Sequence, residues 1–380
     1  MKALTSRERV TAALAHQEPD RVPISLGGTA HKLTDPIYFQ LKEHFGIQGE
    51  VQPVLAGNSL VYNDGRVLDA LGTDIRYLHL CSPSAYVTRR HPDGSYEDWW
   101  HLTFKKMGAQ YMYLHGPLGE AVIDDLASFP WPMANEPGRV AGLREEAREK
   151  HAHSTLSLAA YRPTPAGIFE TAWMMRGMDK FMMDMLLDKE FANDLLDRIQ
   201  AIHMDLYRLE LNEVGEYVQI VEVLDDFGSQ TGPLISPDLY REMIKPREVQ
   251  LVALIRELAP RAKILFHSCG SVYKLVDDFI EVGFDILNPV QPKARDMDPG
   301  RLKLEFGSRI SFLGGVDVQE ALRGTLETAK SEVLTRIRQL GPGGGYILAP
   351  SHNVFEDIPL ANVLGLVEWG KQYGRYPIAL

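Results

Sequence analysis

The chain has 380 residues, 45% of them hydrophobic, which is ample for one large buried core. Its formal net charge of −11 argues against nucleic acid or an anionic membrane surface as a partner, because both demand a basic footprint. Its two cysteines, Cys81 and Cys269, cannot build a disulfide framework, so a reduced, cytoplasmic setting is expected.

The polar, helix-prone start from Met1 to Arg9 does not read as a signal peptide, and no stretch approaches the length of a membrane span. Thr5 or Ser6 can cap that first helix, with Val10, Ala13 and Leu14 as its apolar stripe. Eight short β-prone runs follow: Val22–Leu26, Ile75–Leu80, Thr155–Ala160, Val218–Leu224, Ile264–Phe266, Ile286–Val290, Ile310–Leu313 and Tyr346–Ala349. Helix-like segments separate many of them, which predicts an α/β fold, a (β/α)8 TIM barrel. Between Ala85 and Leu114 the pattern is aromatic and alternating, with Asp93-Gly94 as a hairpin turn. This antiparallel segment is expected to cover one barrel mouth. Residues 1–380 thus read as a single domain, in which 1–150 form an N-terminal extension with the first strands and 151–380 the main barrel. The methionine-rich stretch Phe169–Leu187 reads as a core-facing helix, or as a soft apolar wall beside a substrate.

The candidate site residues fall just after these strand-like runs, and in a parallel barrel those strand ends converge on one face. His267 and Cys269 are two apart on extended chain and share a face, so an imidazole and a thiolate can reach one cation. His352, after the last strand, supplies a third soft ligand, and three protein ligands leave a fourth position open, as in catalytic zinc sites. Asp225 comes directly off the fourth run and is the preferred general acid or base, while Asp226 reads equally well as part of a capping turn. Asp317, after Gly314-Gly315-Val316, either faces the mouth as a second catalytic carboxylate or caps the next helix. Gln230, Asn288 and Gln291 offer neutral hydrogen bonds that can position a polar substrate. Dinucleotide, Walker and nucleophile-elbow fingerprints are absent from the sequence.

Several blocks recur in a known order: Thr5-Ser6-Arg7-Glu8-Arg9-Val10 with Glu18-Pro19-Asp20-Arg21-Val22-Pro23, Phe266-His267-Ser268-Cys269-Gly270, Asp285-Ile286-Leu287-Asn288-Pro289-Val290-Gln291, Gly314-Gly315-Val316-Asp317 and Pro359-Leu360-Ala361-Asn362-Val363. On these the chain resembles the uroporphyrinogen decarboxylase superfamily, and more closely its cobalamin-linked methyltransferase branch. The resemblance implies a (β/α)8 barrel with its site at the C-terminal mouth, and zinc bound by a His-x-Cys pair and a later cysteine. His267 and Cys269 match the pair, while His352 stands where the later cysteine would be. The family's arginine-rich substrate loop is missing, and Ile24 to His31 occupies its place. The resemblance therefore implies a zinc-dependent methyltransferase acting on a small methylated or methoxylated compound. A corrinoid protein or tetrahydrofolate would carry the methyl group, and the chain would form a homodimer. The alternative is a metal-independent decarboxylase or lyase acting on a small acid.

Overall fold

Seven of the eight expected runs pair side by side in one parallel sheet, seen in a computed structural model that describes residues 3–50, 65–83, 86, 88–107 and 110–378. In chain order its strands are β1 (Ile75–Leu78), β6 (Ser157–Ala160), β7 (Ile220–Leu224), β8 (Lys263–His267), β9 (Ile286–Asn288), β10 (Ser311–Val316) and β11 (Tyr346–Pro350), and each pairs with the next. β2 (Arg89–Arg90), β3 (Ser95–Glu97), β4 (Thr103–Met107) and β5 (Gln110–His115) form the separate antiparallel sheet.

The eighth place belongs to the first run, which makes only a parallel bridge, Ile24 to Leu348. Ser25 N–H donates to Leu348, Leu348 N–H to Pro23 and Asp74 N–H to Ile24, so this segment joins the two edges of the sheet. Pro23 has no N–H to give, and Gly27, at φ +100°, turns the chain away. The sheet therefore closes through a short extended segment instead of a full strand.

Alternate residues of the parallel strands face the barrel axis. Ile75, Tyr77, Ala159, Ile220, Leu265, Ile286, Leu313, Ile347 and Ala349 pack there as one cluster, and Val10 and Leu14 of the first helix, Ser6–Leu14, plug its lower end. Thr5 caps that helix in a capping box with Glu8. Below the plug, the buried Asp74 carboxylate accepts from Ser6 Oγ (2.7 Å), Arg9 Nη1 (2.7 Å), Arg21 Nη1 (2.8 Å) and the Ile24 N–H (2.8 Å). One carboxylate thus joins the plug helix, the closing segment and the entry to β1.

The antiparallel segment is larger than a single hairpin. Asp93 accepts from Ser95 N–H and Oγ to make the expected turn, and two further strands extend it. It leans on the helix Ile168–Arg176, where Tyr113 Oη donates to Met174 O (2.6 Å) and Tyr113 meets Trp173 edge-on. The methionine-rich stretch breaks at Gly177, at φ +94°, into two helices, Ile168–Arg176 and Met178–Leu187. Met175 and Met185 are core, whereas Met174 also lines the barrel mouth. No helix among the described residues is long and apolar enough to cross a membrane.

The long helix Lys189–Val214 buries His203 edge-on against Trp100, 5.6 Å between ring centres, with Nε2 lacking a hydrogen-bond partner. Burial pushes this imidazole down to about 3. A base whose folded value lies below its unfolded one contributes stability that is intact above about pH 6.5 and is lost as pH falls toward the folded value. At pH 5.5 this one ring should cost about 1.4 kcal/mol. Urea titrations at pH 7.5 and 5.5 should therefore show a smaller acid loss for His203→Phe than for the wild type.

Candidate metal centre

The strand ends that carry the site are held in one row, with Leu224 of β7 beside His267 of β8 and His267 beside Asn288 of β9. Inward parity runs Ile220, Glu222, Leu224 on β7 and Leu265, His267 on β8, so His267 ends its strand facing the axis. The loops after β7 and β8 then meet backbone to backbone. A Cβ on Gly228 would lie 2.4 Å from Cys269 O, and one on Gly270, at φ +79°, 2.5 Å from Gly228 O. Only glycine fits at either place, and the contact lets Cys269 N–H donate to Asp226 Oδ1 at 2.8 Å.

Asp226, His267 and Cys269 are thereby brought together, one ligand atom from each lying within 4.8 Å of the others. His267 Nε2 is 3.4 Å from Cys269 Sγ and 3.4 Å from Asp226 Oδ1. Ligands at zinc–nitrogen, zinc–oxygen and zinc–sulfur distances in a tetrahedral shell stand about 3.3–3.6 Å apart, so both spacings fit one such ion. The imidazole is also presented correctly. Asn288 Nδ2 donates to Leu313 O (3.1 Å), which leaves Oδ1 to accept the Nδ1–H of His267 (2.7 Å) and fixes the proton there. Nε2 then keeps its lone pair and points at the thiol and the carboxylate. Gln291 steadies the thiol loop: its Oε1 accepts from Gly270 N–H (2.9 Å), and its Nε2 reaches Cys269 Sγ at 3.6 Å.

The electrostatics follow from burial. It lowers the pKa of His267, against the pull of Asp226 and Asn288. It raises the Cys269 thiol well above its usual range, and the Asp226 and Glu170 carboxyls add to the rise. Glu170 is likewise pushed well above the carboxylate range by burial, then by Asp226 and Asp225, with Arg162 pulling the other way.

Several expectations need correction. Asp225 is buried and its two oxygens accept from the Phe169 (2.7 Å) and Glu170 (2.9 Å) N–H groups, so it caps the helix Ile168–Arg176 and does not reach the mouth. Asp317 gives its carboxylate to the N–H groups of Gln319, Glu320 and Ala321 and holds a turn. Asn288 is fully buried with both ends engaged; it orients His267 and has nothing left for a substrate. His352 stands outside the donor cluster, stacked on Phe355 with 5.8 Å between ring centres. It lines the same cavity as Cys269, Asp226, Gln230 and Gln291, and burial takes it down to about 4. Asp226, which had the weaker reading, is the third member of the cluster, because inward parity on β7 continues from Leu224 to Asp226 and passes over Asp225.

A second cavity of about 340 Å³ opens between the barrel mouth and the antiparallel sheet. His79, Tyr161, Arg162 and Glu170 line it from the barrel, and Tyr96, Trp99 and Phe104 from the sheet. None of these was singled out from the sequence as a site residue, although His79 and Tyr161 sit two positions beyond the inward Tyr77 and Ala159.

If Asn288 fixes the tautomer of His267, then Asn288→Leu should weaken zinc binding by about 10–100-fold while the three donors remain. Competition with a chromogenic chelator would read it, and an affinity equal to wild type would show that the ring is oriented by other means.

The class the structure defines is a parallel α/β barrel, with a His–Cys–Asp cluster at the C-terminal ends of neighbouring strands. The family described as "Uroporphyrinogen decarboxylase (URO-D)" matches residues 165–373, and the chain belongs to it. Curated relatives include the uroporphyrinogen decarboxylases of Chlorobaculum parvum, 24% identical over 191 residues, and Chlorobium limicola, 25% identical over 193. Both alignments cover 50% of this chain and 51% of the relative, so the chain spans about half the length of the curated relatives it matches. Among solved structures, a methyltransferase from Methanosarcina mazei aligns over 97% of this chain and 99% of its own, with a TM-score of 0.65 and 18% identity, which establishes a shared fold.

Proposed function

We propose that the chain is a zinc-dependent methyltransferase that moves a methyl group between a small methylated or methoxylated compound and a corrinoid protein or tetrahydrofolate. The observation that carries the reading is the donor set. Nε2 of His267 keeps a free lone pair and lies 3.4 Å from both a thiol and a carboxylate, beside a cavity that Asp226, Cys269 and Gln291 line. Asp226, His267 and Cys269 would hold the metal, which when bound supplies Lewis-acid stabilisation of the heteroatom that gains or loses the methyl group. Asn288 keeps the ring in its liganding tautomer, and Gln291 holds the thiol loop. Tyr96 and Phe104 of the antiparallel sheet line the second cavity and would form its outer wall around a bound substrate. Glu170, whose carboxyl burial holds well above its usual range, would give a proton to a heteroatom released when its bond to methyl carbon breaks.

One observation favours the second reading, a carboxy-lyase of the decarboxylase type. The cavity carries Lys32, Arg139 and Arg162, groups that would receive a carboxylic acid. A single experiment separates the two. Purified protein is assayed for zinc, then incubated with methoxylated aromatic compounds and either cob(I)alamin or tetrahydrofolate, while methylated carrier and carbon dioxide are followed. Methylated carrier formed only by zinc-loaded protein supports the transferase. Carbon dioxide release from protein that binds no zinc overturns it in favour of the lyase.

A further inference from the structure

The lining of the mouth cavity is cationic in a chain whose net charge is −11, and among the described residues two of its cations form no direct ion pair with a carboxylate. Lys32 Nζ lies 5.6 Å and Arg162 Cζ 5.4 Å from the ring centre of Tyr161, so both charges gather round one buried phenol. Among the described residues no carboxylate forms an ion pair with either, although ion pairs engage Arg and Lys side chains over most of the surface. Arg162 spends one terminal nitrogen on Thr164 O, and its buried Nε has no partner. Arg139 is 3% exposed, lies over Trp99 at 4.1 Å and also has an unpartnered Nε.

The acidic groups of the cavity do not balance them. Asp98 turns its carboxylate to the Trp100 and Leu102 N–H groups, both at 2.9 Å, and among the described residues Glu170 forms no ion pair with Lys32 or Arg162. The Tyr161 phenol, which burial should drive up, is instead lowered by Arg162 and Lys32, as expected where the local potential is positive. Lys32 and Arg162 are half-buried, and cations partly withdrawn from water without a paired carboxylate are costly, a cost that a ligand supplying the charge removes. The remaining wall is flat and aromatic, made by Tyr96, Trp99 and Phe104.

We propose that this cavity binds a small organic carboxylate with a flat apolar body, its carboxylate set between Lys32 and Arg162 beside Tyr161 and its body against the aromatic wall. This names the substrate class for the function proposed above and rests on that reading only for what happens to the bound acid. The loop before Lys32 lacks arginines, and the cations come instead from Lys32 itself and from the segment following β6.

Isothermal titration of the full chain with benzoate and with benzamide, which share a shape and differ in charge, tests it. Benzoate should bind at least about tenfold more tightly, as a charge-assisted pair predicts, and Arg162→Gln and Lys32→Gln should each cut that preference to about threefold or less. The same titration on Cys269→Ser separates this site from the metal. A preserved preference places the anion on Lys32 and Arg162 whatever the fate of the zinc reading, and a lost one places it on the metal and overturns the proposal. Equal affinity for the two probes, no detectable binding of benzoate, or a preference unchanged in both cation variants would also overturn it.

Discussion

Alanine at Asp226, His267 or Cys269 should each reduce bound zinc from about one per chain to a small fraction, whereas His352→Ala should retain most of it. The contrast follows from geometry. The first three present ligand atoms within 4.8 Å of one another, and His352 lies stacked on Phe355 outside that cluster. Elemental analysis of the four variants beside wild type reads the result directly. Under the proposed function these three variants should also lose methyl transfer, on the order of a thousandfold, because a lost metal would no longer stabilise charge at the reacting heteroatom. Retention of zinc in Asp226→Ala together with its loss in His352→Ala would reverse the assignment. It would mean that the segment after β11 swings inward when the ion binds.

The second large effect lies at the opposite end of the barrel. Asp74→Ala should destabilise the fold by about 3–5 kcal/mol, since it leaves Arg21 facing a buried site with no carboxylate and Arg9 with Asp20 alone. It also removes the acceptor for the Ile24 N–H on the segment that joins the two sheet edges. Denaturant unfolding followed by circular dichroism would measure the loss. Glu145→Ala, which breaks an exposed pair with Arg148, is the control and should leave the midpoint in place. An Asp74 variant with a wild-type midpoint would show that the arginines find other acceptors and that barrel closure does not depend on this carboxylate.

Much of the fold was legible because strands buried on both faces read as continuous apolar runs, and seven of the eight runs became strands within a few residues. Val22–Leu26 fell short because a proline lies inside it. The members of the His–Cys–Asp cluster divide along similar lines. His267 and Cys269 could be read from their spacing, since β8 is straight up to its last residue. The choice of Asp225 over Asp226 came from counting distance from the strand end, whereas the decisive quantity is parity along β7. The same rule on β11 runs from Ile347 and Ala349 to Ser351, and it leaves His352 off the inward row. Parity fails at Asp317, because the chain has already left β10 and turned into the cap that its carboxylate holds. The cationic cavity was beyond reach, since Lys32, Arg139 and Arg162 lie far apart in sequence and only the closed barrel and its covering sheet bring them together.

The shared row of Leu224, His267 and Asn288 also sets how this chain can change length. A single residue inserted within β8 would reverse its alternation and turn His267 toward the surrounding helices, and the two-glycine contact beyond it leaves no slack to absorb the slip. By contrast, the exposed turn at Asp93-Gly94 joins two short strands far from that row. Lengthening of the polypeptide should therefore be confined to such turns, with the spacing from Lys263 to Gly270 kept residue for residue.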